Sequence, residues 1–117
     1  MPLTVAERDA IADAEKARLV YISLHLSDPG TTGASEATGG TPAYARKLAV
    51  WGASSAGTAT ATEVTFDVPA GTYTHFGTWS AGTAGTFRGG NPLTGGAQVY
   101  TGQGTLKVTV SIPVTAT

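Results

Sequence analysis

The chain holds two histidines, His25 and His75, and no cysteine. A metal site needs three or four ligands at set spacing, and neither Asp28 nor Asp67 completes a recognised motif around the histidines. Without cysteine, disulfides and thiolate metal sites are excluded. Each histidine sits in a strand pattern beside aromatic residues, which points to packing or surface roles. A Ser-His-Asp triad assembles in space and leaves no fixed spacing, but no serine here stands in a G-x-S-x-G elbow. The glycine-rich run Gly89 to Gly96 lacks the Lys-Ser/Thr and the helix that would make it a phosphate cradle, so it reads as a loop. Catalytic, cofactor-binding and metal-binding residues are therefore expected to be absent.

The remaining candidates are aromatic or cationic. Trp51 and Trp79 suit a core or an interface anchor; in a chain of this size, core is the expected place for both. A stacking platform for a carbohydrate is the alternative use. Arg46-Lys47 and Arg88 read as isolated cations in solvent. Asparagine occurs once, at Asn91, before a proline. The surface is built largely from Thr, Ser, Ala and Gly, short side chains that lose little entropy on contact. Such a surface suits close packing between copies better than a catalytic cleft.

What must position these residues is one domain, because 117 residues make one core and not two. Seven basic and eight acidic residues give a net charge of −1, without the basic excess of a nucleic-acid binder. No apolar run reaches the roughly 20 residues of a membrane helix, and MPLTVAERDA lacks the order of a Sec signal peptide. A soluble protein made in a reducing cytoplasm is expected.

Seven of the fifteen charged residues fall between Glu7 and Arg18. That change of construction divides the chain into an N-terminal helix over 1–18 and a β domain over 19–117. Thr4 and Glu7 have capping-box spacing. Acids come early and bases late, as the helix dipole favours. Leu3, Ala6, Ala10, Ala14 and Ala17 form a shallow stripe with Ile11 beside it. The stripe is expected to pack against a sheet or another subunit, as an attachment element.

Strand signals follow. Val20 to Leu26 alternates, and Asp28-Pro29-Gly30 ends the run as a turn. Residues 31–43 have no apolar period. The whole 27–43 loop cannot repay its ordering entropy alone and is expected to be ordered by a neighbour. Tyr44–Trp51, Val64–Val68, Tyr73–Trp79, Thr86–Arg88, Gln98–Thr101 and Leu106–Ile112 complete the strands. The last has the cleanest alternation, which places Val108 and Val110 in the core and Thr109 outside. The fold class is mainly β: an antiparallel β-sandwich or small barrel with one N-terminal α-helix.

Five segments carry a likeness: YISLHLSDPGTTG from Tyr21, YARK from Tyr44, VTFDVPAGT from Val64, GTWSA from Gly77 and TFRGG from Thr86. Over about residues 19–112 the chain resembles a family of small virion proteins of tailed bacteriophages and prophages, common in phages of actinobacteria. Members are often labelled tail-fibre proteins, and similar small β domains decorate phage heads. The resemblance implies a structural role in the virion, with no catalytic residues to carry over and synthesis in the host cytoplasm. A 117-residue domain has the scale of a decoration unit bound to the capsid exterior and stabilising it, which is the leading expectation. A tail-fibre or baseplate component is the alternative, and a carbohydrate-binding module a further one. Expected partners are capsid or tail proteins, further copies of the chain, and in the last case a host-surface glycan. Nucleic acid and membrane are not expected.

Overall fold

The structure, a computed structural model, describes residues 4–113, with only the backbone described for Ile112 and Pro113. Helix α1 spans Val5–Lys16. Ten short strands follow: β1 Tyr21–His25, β2 Lys47–Leu48, β3 Thr58–Thr60, β4 Val64–Val68, β5 Gly71–Tyr73, β6 His75–Trp79, β7 Phe87–Pro92, β8 Gln98–Tyr100, β9 Gly104–Val108 and β10 Ser111–Pro113.

Every pairing is antiparallel, and four strands form one sheet in the order β2-β1-β6-β7. Three two-stranded ribbons, β3–β10, β4–β9 and β5–β8, supply the other layer. Ile22, Leu24 and Phe76 from the sheet meet Phe66, Val68, Tyr73, Leu106, Val108 and Val110 from the ribbons and their flanks in one core cluster. The result is a sandwich-like β fold with an N-terminal helix, in which apolar side chains at every second strand position close the space between layers.

The last strand signal is split. Thr109 and Val110 lie between β9, which pairs with β4, and β10, which pairs with β3. The expected alternation survives the change of partner: Leu106, Val108 and Val110 are buried, while Lys107, Thr109 and Ser111 are exposed. Tyr44–Trp51 is shorter than expected, with only Lys47–Leu48 in regular pairing.

The loop after β1 is held by its own sheet, against the expectation of a neighbour. Ser35 O accepts from Leu26 N, and Ala37 N donates to Leu24 O, so 35–37 continues the edge of β1 beyond β2. At the far end the Gln103 amide accepts from Thr41 N at 3.0 Å and donates to Pro42 O at 3.1 Å. Backbone pairing offsets the loop's ordering entropy in place of apolar burial.

Of the two places expected for the alanine stripe, the protein's own sheet is not the one it takes. Thr4 caps it by accepting from Glu7 N at 3.2 Å. Ala12 is the buried residue, whereas Ala6, Ala10, Ala14 and Ala17 are exposed and Leu3 lies outside the described residues. Beside the buried Ala12, polar groups make the helix's hydrogen bonds with the body. Asp9 accepts from Gly57 N at 2.7 Å, Asp13 accepts from the Ser54 hydroxyl at 2.6 Å, and Lys16 Nζ donates to Gly52 O at 2.9 Å. Their platform is a tight turn in which Ser55 and Thr58 exchange both backbone hydrogen bonds. Positive φ at Ala56 (51°) and Gly57 (80°) gives it the twist of a primed hairpin turn. Glycine takes that conformation freely, and alanine does so at a cost.

Candidate functional site

The second face of the four-stranded sheet carries the densest chemistry in the molecule. The register places Tyr21 opposite Trp79, Ser23 opposite Gly77 and His25 opposite His75. Alternation alone would send these residues to solvent. Instead Ser23 and His25 are fully buried, because the 27–36 loop folds over them. Gly33 makes this possible: at φ 77°, a Cβ there would sit 2.5 Å from the Trp79 ring.

Beneath the loop runs one hydrogen-bond chain. Trp79 Nε1 donates to Ser23 Oγ at 2.9 Å. Ser23 Oγ lies 2.7 Å from His25 Nε2, and His25 Nδ1 lies 2.8 Å from Ala34 O. A carbonyl can only accept, so Nδ1 carries the ring proton and the Ser23 hydroxyl donates to Nε2. Burial lowers the His25 pKa below its usual value, while the Ala34 carbonyl and Glu36 pull it the other way. The ring is therefore neutral at pH 7, as the assigned tautomer requires. Phe87 covers the site, its ring edge-on to His25 at 5.9 Å and to Trp79 at 5.2 Å between centroids.

Arg46 closes the network. It forms two hydrogen bonds to Glu36, from Nε to Oε2 and from Nη2 to Oε1, both at 2.9 Å. Its Nη1 donates to Ala81 O at 3.0 Å and to Ala84 O at 2.7 Å. The guanidinium also lies 3.6 Å from the centroid of Trp79. Burial pushes the Glu36 carboxyl up, but hydrogen bonds from Arg46 and Tyr44 outweigh it and hold the pKa below the usual value. Tyr44 is pushed strongly up, first by burial; its hydroxyl donates to Glu36 and accepts from Leu24 N.

This arrangement contains the Ser–His pair that nucleophilic catalysis uses, but a backbone carbonyl stands where a triad has its acid. Ser23 is 0% exposed and accepts from Trp79, so a substrate carbonyl cannot reach its oxygen. The network stores no free donor for a reaction; it fastens loop to sheet.

The other residues singled out by the sequence do not join it. His75 bonds its neighbour Thr74 at 2.7 Å. Asp28 accepts from Gly30 N in the turn. Asp67 sits in β4, partly buried, opposite Thr105. Lys47 lies on the short edge strand, and Arg88 is exposed on β7 just before the Gly89–Gly96 run, whose first half is edge strand. Among the described residues no three His, Cys, Asp or Glu side chains converge on a point. Trp79 is core, as expected, with a covered ring; Trp51 is partly buried against the core and donates from Nε1 to Leu19 O at 2.9 Å. Arg46 overturns its reading as a solvated cation, and Ser23 and Glu36 carried no sequence signal. No described helix is long and apolar enough to cross a membrane.

No curated protein matches the chain. Residues 10–112, nearly all of the described domain, do match a family model, that of the Podophage GP4 fiber I protein gp80. A phage structural protein agrees with a fold whose densest polar network locks a surface loop in place, and the chain belongs to this fibre protein family.

Proposed function

We propose that the protein is a non-catalytic subunit of a phage fibre, attached to the virion through its contacts with other virion proteins and with further copies of itself. The family match over residues 10–112 carries this reading. The sealed Ser23–His25 pair supports the non-catalytic part, since its hydroxyl is inaccessible. Capsid decoration, the leading expectation from sequence, loses ground to the fibre because the matching family is a fibre family. Synthesis in the cytoplasm of a host bacterium, with actinobacteria as the host group suggested by resemblance, belongs to the same proposal. Glycan stacking on Trp79 is disfavoured, because Arg46 covers the ring.

Gold-labelled antibody against the protein on intact particles, with copy number from quantitative mass spectrometry, tests it. Label on fibres at few copies per particle is the expected result. Label over the whole head at hundreds of copies would restore the decoration reading and remove this one.

A further inference from the structure

Helix α1 is amphipathic in the reverse of the usual sense. Asp9, Asp13 and Lys16 bond the 52–57 segment, so the charged side faces the protein's own body. Ala6, Ala10, Ala14 and Ala17 face outward, and Ile11 beside them is 39% exposed. At 100° per residue the four alanines fall within about 80° of arc, with Glu7 on the same flank as Ile11 and with Arg18, in the turn just past the helix end, continuing that side. Both Glu7 and Arg18 are exposed.

We propose that this face docks against the same face of a second copy, with the two helices antiparallel about a two-fold axis between Ala10 and Ala14. The pattern is what a self-complementary interface requires. Reversing the helix about that axis exchanges Ala10 with Ala14 and brings Ala6 near Ala17. It also sets Glu7 of one copy against Arg18 of the other, twice. An antiparallel pair brings like flanks together, so the acid and base meet, whereas a parallel pair would bring opposite flanks together and leave Glu7 and Arg18 without each other. Alanine at the contact lets the axes approach to the short end of the usual range, about 8 Å. Arg18 now reaches Glu15 at 3.3 Å, an exposed pair of little energy that can be exchanged for Glu7 of the second copy. One face of a three-turn helix is smaller than the ~1,000 Å² of a stable interface. The pairing is therefore weak in dilute solution and acts where copies are concentrated, as in a virion. It does not depend on whether that virion structure is fibre or capsid.

The absence of cysteine makes disulfide trapping clean. Full-length Ala10→Cys and Ala14→Cys are mixed and oxidised, and heterodimers are identified by mass. The mixed 10–14 disulfide is expected to form about tenfold faster than that of a control mixture of Ala14→Cys with Thr109→Cys, through raised local concentration. Rates equal to the control, or a preference for 10–10 and 14–14 bonds, would overturn the proposal. In the same background, Glu7→Lys or Arg18→Glu alone should slow trapping several-fold, and the two together should restore it. A double variant as slow as the singles would also overturn it, because loss of helix stability alone gives no restoration. Circular dichroism of each variant confirms that the helix and sheet are present.

Discussion

Gly77 sits in the middle of β6, opposite Ser23 on one side and Gly90 on the other. A methyl group there would stand 2.7 Å from His25 Nε2, 2.7 Å from Phe87 Cε1 and 2.8 Å from Ser23 Oγ. None of the three neighbours can yield freely. His25 is held by Ala34 O, Ser23 by Trp79, and Phe87 by its contacts with both rings. Overpacking at such a point costs about 1–3 kcal/mol. If Ser23 turns away, a buried hydroxyl and imidazole lose their bond for about 1–3 kcal/mol more. Gly77→Ala should thus cost about 2–6 kcal/mol of a total near 5–15 kcal/mol, lowering the melting temperature by roughly 10 °C or more. Gly102→Ala is the control, since a Cβ there meets nothing within 4 Å. Thermal melting by far-ultraviolet circular dichroism, with Trp fluorescence reporting the site, measures both. If Gly77→Ala melts within about 2 °C of the wild type, the loop does not seal the site as described, and the argument from a rigid network fails.

Arg46→Met should cost about 3–5 kcal/mol, because it strands the Glu36 carboxylate; adding Glu36→Gln should recover part of that in urea unfolding, and a double variant less stable than Arg46→Met would contradict the pairing. Stability should fall on acidification below about pH 6.5, the ordinary value for histidine, because the unfolded state takes up the proton that buried His25 refuses. Glu36, also held below its usual 4.5, adds a second loss below that pH; melting temperatures from about pH 2.5 to 8 should show both, and His25→Gln should remove the first. Val110→Asp should prevent folding by burying an unpaired charge at a 2% exposed position, while Thr109→Asp should leave the melting temperature nearly unchanged. Greater loss at Thr109 would mean that the strand faces are reversed.

Much of the scaffold was legible before the structure. The Thr4 cap and the charge order of α1 act within a few residues, so spacing reveals them. The Leu106–Val110 alternation also survived, because the core lies on one side of that segment. The candidate site was not legible, for a physical reason. In β1 both faces are buried, one by apolar contacts and the other by a loop that closes through polar bonds. Alternation identifies a solvent face only when nothing folds back over it. Arg46 showed its charge in the sequence, but Glu36 and Trp79 reach it only through the fold. The alanine stripe was visible, yet its direction was set by Asp9, Asp13 and Lys16, whose partners lie far along the chain.

The change of partner between β9 and β10 bears on how the molecule is made. The segment 104–113 joins two ribbons whose other strands, β4 and β3, leave the ribosome well before it. Until that segment emerges, Phe66, Val68 and Ala59 lack the strands that cover or pair with them. Closure of the core therefore follows synthesis of nearly the whole domain, because one late segment supplies the partner strands of two ribbons. A ribosome stalled before Gly104 would carry a chain with open strand edges, exposed to chaperones and to pairing with its neighbours on a polysome.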